Sequence, residues 1–198
     1  MTQSNQQVDA ITDRLQLPFL YDVAKMQAEV EALNFSDFIY YDAIPLTGPA
    51  HFIDPSLSAP PPVDDFADGS WTNWLETPVL KKCPYITSIV EYFRLHTKVT
   101  LVRLLRLAPD SVVREHADPT LGLHITKSVI RLTVPIVTNE AVTFFLNGTP
   151  VPMRMGECWY LRLTDPHSIT NKSDTERINL TIDVIPNEWL RSIITNEV

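Results

Sequence analysis

The stretch VVREHADPTLG, Val112 to Gly122, sets a histidine and a carboxylate two residues apart between two apolar, β-branched runs. Side chains alternate along a strand, so His116 and Asp118 would project to the same side of the backbone. Such a pair is either a surface ion pair or two thirds of a metal site. A second histidine, His167, follows 49 residues after Asp118 at the start of another strand-like run, and Arg177 opens the last such run ten residues later. Two imidazoles and one carboxylate form the facial set of non-haem Fe(II) oxygenases, which leaves three coordination positions open. An α-keto acid can chelate through two of these and dioxygen can take the third. The far carboxylate of the keto acid then needs a fixed cation. A guanidinium suits it because it offers two parallel donors, and Arg177 is suitably placed. Taken singly, each residue has a plainer reading. Asp118 would be a turn residue before Pro119, His167 a surface loop histidine, and Arg177 an ion-pair partner on a strand.

These residues must be positioned by strands, and from Val99 onward the sequence supplies them. VTLVRLLRL, SVVREHAD, SVIRLTVPIV, AVTFFL, VPMRM, CWYLRL, HSITN and RINLTIDV are eight short runs. Turn signals separate them, among them Pro109-Asp110, Asn147-Gly148, Gly156-Glu157 and Asp165-Pro166. Regularly spaced short strands without interleaved helices predict a sandwich or barrel. Upstream, Val23, Met26, Val30 and Leu33 share one helical face, with Asp22 as N-cap. FIYYDAIPL reads as a strand ending at Pro45. Thr77-Pro78 reads as the start of a second helix running to about Thr97, with Ile86, Ile89, Val90 and Phe93 on one face. Between them, Pro45 to Gly69 carries five further prolines (49, 55, 60, 61 and 62), a density that predicts neither strand nor helix. This segment is either a solvated loop or a lid over a site. Trp71 and Trp74 behind it either anchor its end or line a pocket mouth. The expected architecture is mainly β with flanking helices, a jelly roll. It forms one domain over residues 1–198, with a helical and loop part at 1–98 and a jelly-roll core at 99–185.

The totals exclude several function classes. The chain has 198 residues and a net charge of −8, and its longest basic cluster is Lys81-Lys82. Phosphate-backbone recognition needs more clustered cations than that, so no nucleic-acid partner is expected. No run approaches the roughly 20 apolar residues of a membrane span. The N-terminus has neither a basic cluster nor an apolar core, so cytoplasmic residence is the expectation. Two cysteines, Cys83 and Cys158, are too few for a disulfide framework and too far apart for a zinc ribbon, and read as core residues. His51, His96 and His124 have no pattern that marks them as ligands, and Trp159 reads as core.

The segments REHADP, VIRLTVPIV and MRMGECWYLRLTDPHSITNKSDTERINLTIDV together resemble the aspartyl/asparaginyl β-hydroxylase type of 2-oxoglutarate/Fe(II) dioxygenases. The likeness is to its bacterial branch, which includes free-proline hydroxylases and keeps a carboxylate where Asp118 stands. It covers about residues 99–184, with a weaker match in LETPVL and PYI. The resemblance implies a double-stranded β-helix (cupin-like) and a hydroxylase. Its catalytic Fe(II) would be held by His116, Asp118 and His167. It implies 2-oxoglutarate bound by Arg177, with Arg131 and Thr133 as further co-substrate positions. Many relatives carry histidine where this chain has Thr133. O2 would be the oxidant, with succinate and CO2 released. The substrate would be a small amino-acid-like molecule or a peptide, hydroxylated at an unactivated C–H bond. Arg131 also stands out chemically, because a lone arginine among Val129, Ile130, Leu132 and Val134 is costly to bury unless it meets an anion. That anion would be the near end of 2-oxoglutarate, a substrate carboxylate, or a surface acid such as Glu140. Two competing readings are a non-catalytic cupin-type module that binds a small anion or sugar, and a cupin-type metal isomerase or hydrolase. The latter usually supplies three or more histidines.

Overall fold

Alternating side chains from Val99 onward sort into two facing sheets. The computed structural model describes residues 12–33, 41–59, 69–123 and 127–195. Its strands are β1 (Arg14–Leu20), β2 (Tyr41–Pro45), β3 (Thr47–Pro49), β4 (Trp74–Glu76), β5 (Val99–Leu107) and β6 (Ser111–His116), followed by β7 (Ile130–Val137), β8 (Val142–Leu146), β9 (Thr149–Val151), β10 (Glu157–Leu161), β11 (His167–Asn171) and β12 (Arg177–Val184). Its helices are α1 (Val23–Glu31), α2 (Ala50–Ile53), α3 (Pro84–Arg94) and α4 (Glu188–Thr195). The larger sheet has the order β1-β10-β7-β12-β5-β2 and the smaller β6-β11-β8-β9. All these pairings are antiparallel. From β5 to β12 the chain alternates between the two sheets except at the β8–β9 hairpin, as in the double-stranded β-helix that was expected.

Two apolar cores result. One lies between the larger sheet and the helices, with Met26, Ile86, Phe93, Leu132, Leu180, Ile182 and Leu190 among its members. The other lies between the sheets and includes Leu107, Phe144, Leu146, Trp159 and Ile169. β12 separates them and is buried along its whole length. Its even positions, Ile178, Leu180, Ile182 and Val184, join the helix-side core. Its odd positions, Arg177, Asn179, Thr181 and Asp183, are equally buried but polar. Buried polar groups need partners, so this row marks where the interior departs from simple packing.

Several local expectations hold. The Asp22 carboxylate caps α1 by accepting from the Lys25 amide at 3.1 Å. Ile86, Ile89, Val90 and Phe93 form the buried face of α3. Asn147 and Gly148 take left-handed φ values of 52° and 69° in a two-residue hairpin that opposes Leu146 to Thr149. Gly156 has φ 82°, and a Cβ there would lie 2.7 Å from the Tyr21 carbonyl oxygen, so only glycine fits. Both cysteines are fully buried and unbonded, and Trp159 is core.

Other expectations are corrected. The helix begins at Pro84, not at Thr77-Pro78; a 3-10 turn over Leu80–Lys82 precedes it. Pro84 takes the first helical position, where its missing N–H costs nothing. The proline-rich segment holds β3 and α2 after all. Pro49 sits before the first turn of α2 instead of inside it, and β3 pairs only with β4, so neither element asks a proline to donate. β1 escaped prediction although Leu15, Leu17 and Phe19 alternate. It is an edge strand against β10 and tolerates Pro18 there. Of the 45–69 segment read as a loop or lid, residues 60–68 lie outside the described residues, as does His124.

Candidate metal centre

β6 and β11 are neighbours in the smaller sheet, and their register sets His116 directly opposite His167. Their ring centroids are 4.2 Å apart. Asp118 follows two residues after His116, and its amide donates to the Leu163 carbonyl at 2.8 Å, which ties the chain after β6 to the turn before β11. One ligand atom each from His116, Asp118 and His167 falls within 4.8 Å of the other two. The structure thus brings together the three residues singled out in the sequence.

Both imidazoles are oriented by main chain. His116 Nδ1 lies 2.8 Å from the Arg114 carbonyl oxygen and His167 Nδ1 lies 2.9 Å from that of Asp165. A carbonyl can only accept, so each Nδ1 carries the proton and each Nε2 keeps its lone pair. Burial pushes the His167 imidazole below its ordinary range, which favours the neutral, ligating form. Phe144 stacks parallel to the His167 ring at 5.8 Å and closes its other face. Two imidazole nitrogens and one carboxylate oxygen brought this close together are the donor set that suits Fe(II).

The inward face of the larger sheet supplies the cations. Arg177 is 3% exposed. The Asn179 side-chain oxygen, once turned toward it, accepts from both terminal nitrogens, at 2.8 Å from one of them. No carboxylate pairs with Arg177 among the described residues, and burial pulls its guanidinium down to about 10. A buried, uncompensated cation is a site for an anion.

Arg131 is different. Within the chain it meets an anion, and that anion is Asp183 and not the surface acid Glu140. Its Nε and one terminal nitrogen donate to the two Asp183 carboxylate oxygens, both at 2.8 Å. The remaining nitrogen lies 3.4 Å from an Asp118 carboxylate oxygen. One edge of the Arg131 guanidinium is therefore engaged by Asp183, and its other terminal nitrogen braces the carboxylate of the triad. We expect Asp183→Ala to cost about 3–5 kcal/mol, because it leaves Arg131 buried without its partner. Chemical denaturation measures this, and a loss under about 0.5 kcal/mol would show the pair to be dispensable. Thr133 lies on the same inward face, buried, opposite Trp159 on one side and Thr181 on the other.

One cation was overlooked in the sequence. Arg103 lies in β5 opposite Thr181. Its Nε is buried without a hydrogen-bond partner, and no acid pairs with it among the described residues. Desolvation and the neighbouring Arg131 both lower its affinity for its proton. The available signal was the one that marked Arg131, an arginine in a strand whose neighbours Val102 and Leu104 are apolar. A cavity of about 320 Å³ opens beside the Arg131–Asp183 pair, lined also by Trp71, Trp74, Thr100 and Leu121. Trp74 does both jobs considered for it, since its indole N–H also donates to the Gly69 carbonyl at 2.8 Å.

A jelly roll with this donor set defines a class, the 2-oxoglutarate oxygenase fold. The chain is similar to HygX from Streptomyces hygroscopicus, solved with nickel and 2-oxoglutarate bound, with a TM-score of 0.56 and 14% identity over 95% of this chain and 88% of that one. It is also similar to a 2OG-Fe(II) oxygenase family oxidoreductase from Burkholderia pseudomallei, with a TM-score of 0.52 and 12% identity over 87% of this chain and 84% of that one. The family model for aspartyl/asparaginyl beta-hydroxylase matches residues 70–186, and the chain belongs to that family. A curated relative, L-proline cis-4-hydroxylase of Rhizobium meliloti (strain 1021), is 28% identical over 123 residues, 60% of this chain. The aligned part is 43% of that relative, so the chain spans less than half the length of the protein it matches. Among the described residues no helix is long and apolar enough to cross a membrane.

Proposed function

We propose that the chain is an Fe(II)- and 2-oxoglutarate-dependent hydroxylase acting on a small amino-acid-like substrate or a peptide. The observation that carries this reading is the pairing of a two-histidine, one-carboxylate set with a fully buried arginine that no acid among the described residues neutralises. A module that only binds anions would account for Arg177 but not for two imidazoles held with their Nε2 lone pairs free.

His116, Asp118 and His167 would hold the Fe(II), which would supply the redox chemistry with O2. In the net reaction one oxygen atom enters succinate as 2-oxoglutarate loses CO2, and the other enters the substrate C–H bond. The protein's own part is positional. The Arg114 and Asp165 carbonyls aim the imidazoles. Arg131 holds the Asp118 carboxylate in place from behind. Arg177 grips the far carboxylate of the keto acid, and Asn179 holds its guanidinium in orientation. Thr133, small and inward-facing, leaves room along that path. Trp71 and Trp74 line the cavity beside Arg131 and supply apolar surface there.

Arg103 is the cation left for the substrate, and an α-carboxylate is the group it would hold. L-Proline, named for the Rhizobium relative, is the first candidate to assay, followed by other amino acids and short peptides. Succinate release that depends on the added compound tests the activity. Arg103→Ala is expected to raise the substrate KM at least about tenfold, the loss for one charge-assisted contact, while substrate-independent turnover of 2-oxoglutarate persists. A parallel fall in both would assign Arg103 to the co-substrate instead.

A further inference from the structure

The turn between β10 and β11 does more than connect strands. Its carbonyls hold two of the three metal-site residues: Leu163 accepts from the Asp118 amide at 2.8 Å, and Asp165 accepts from His167 Nδ1 at 2.9 Å. The position of this turn therefore sets where a carboxylate and an imidazole stand relative to each other.

The turn is itself clamped from the side away from the centre. One Asp165 carboxylate oxygen accepts from Arg162 Nε at 2.9 Å and from a terminal nitrogen of Arg162 at 2.8 Å. The same oxygen accepts from the Asn147 side-chain amide at 2.7 Å. Asn147 donates its second amide hydrogen to Asp13 at 3.0 Å, and its backbone N–H to the Pro166 carbonyl at 2.9 Å. The Arg162 backbone N–H donates to the Asp13 carbonyl at 2.7 Å. Arg14 closes the cluster with two bonds to the Asp13 carboxylate, at 2.9 and 2.7 Å, and one to the Leu146 carbonyl at 2.8 Å. The Arg14 bonds hold the Asp13 carboxyl well down, to about 2, so the network is charged throughout the neutral range. Four separate stretches meet here: β1 and its preceding residues, the β8–β9 hairpin, the end of β10 and the start of β11. None of the clamp side chains belongs to the triad.

We propose that Arg162, Asn147 and Asp13 are positioning residues for the metal centre, acting through Asp165 to fix the His167 ring and the Asp118 backbone. This rests on the metal-centre reading above. Partners that orient ligands in this way are worth about 10- to 100-fold in metal affinity. The sign separates the proposal from plain electrostatics. Removing a cation would, through charge alone, tighten the binding of another cation; loss of positioning weakens it.

The test is an anaerobic titration with Co(II) alone, which reads affinity and ligand geometry from its visible spectrum without turnover. Asn147→Gly is the cleanest variant, because glycine keeps the left-handed turn and removes only the side-chain amide. Arg162→Ala is the stronger variant. Each is titrated at a temperature where circular dichroism shows it fully folded. We expect Co(II) to bind at least tenfold more weakly to both, with an altered spectrum, and Arg162→Lys to recover part of the loss. Parent-like affinity and spectrum in Asn147→Gly, or tighter binding in Arg162→Ala, would overturn the proposal while leaving the metal centre intact. If the parent protein takes up no Co(II), the metal-centre reading itself fails, and the proposal with it.

Discussion

His167→Ala loses 2-oxoglutarate turnover and stays folded. The ring is one of three donors, and the side chain is small enough to remove at the edge of the inter-sheet core. Its Nε2 is the lone pair a metal would use, because Nδ1 is committed to the Asp165 carbonyl. Losing it leaves one nitrogen and one carboxylate. That is a first-contact loss, so it exceeds the roughly 10- to 100-fold cost of removing an orienting partner. His116→Ala is expected to behave alike. It has the smaller structural effect of the two, because His116 is exposed whereas His167 is 4% exposed. Comparing the two variants therefore separates loss of metal from loss of packing. Equal inactivation with unequal stability is the expected pattern, read by succinate release and thermal melting. Turnover at the parent rate in both would move the centre elsewhere.

Arg177→Met produces the second large effect, a rise in the apparent 2-oxoglutarate KM. Methionine nearly conserves volume and removes only charge and donors. Truncating one partner of a buried charge pair costs about 2–5 kcal/mol, or roughly 30- to several-thousand-fold in affinity. Stability should move the opposite way. The guanidinium is fully buried, against the Asn179 amide oxygen and with no acid paired to it among the described residues, so removing it relieves an uncompensated charge, and the apo protein should melt at or above the parent temperature. A variant that gained KM but lost several kcal/mol of stability would make Arg177 a structural cation. An unchanged KM would remove it from the co-substrate site.

What was legible in the sequence, and what was not, follows from physical range. The jelly-roll strands were legible because each carries its own alternation and its own turn residues. Seven of the eight runs read from Val99 onward correspond to β5–β8 and β10–β12; VPMRM does not, since β9 is Thr149–Val151, fixed by its hairpin register with β8, and shares only Val151 with that run. His116, Asp118 and His167 could be nominated because a short spacing and a strand start are local signals. β1 was missed because edge pairing to β10, across nearly the length of the chain, decides it. Arg131 shows the boundary most clearly. Local chemistry said that a buried arginine must meet an anion, and it does. Which anion depends on β7 lying beside β12 with Arg131 opposite Asp183, a matter of register that no stretch of sequence displays. Arg103 carried the same local signal and was passed over, although, among the described residues, its buried Nε has no hydrogen-bond partner.

The most direct measurement is an anaerobic difference spectrum of the parent protein with Fe(II) and 2-oxoglutarate. A keto acid chelated to iron in a two-histidine, one-carboxylate site gives a weak visible charge-transfer band. The account predicts that this band forms with the parent chain and is lost in His116→Ala. It further predicts that Arg177→Met needs far higher 2-oxoglutarate to reach it. A parent protein that binds Fe(II) and 2-oxoglutarate without the band, or a band that survives His116→Ala unchanged, would contradict the assignment of this centre.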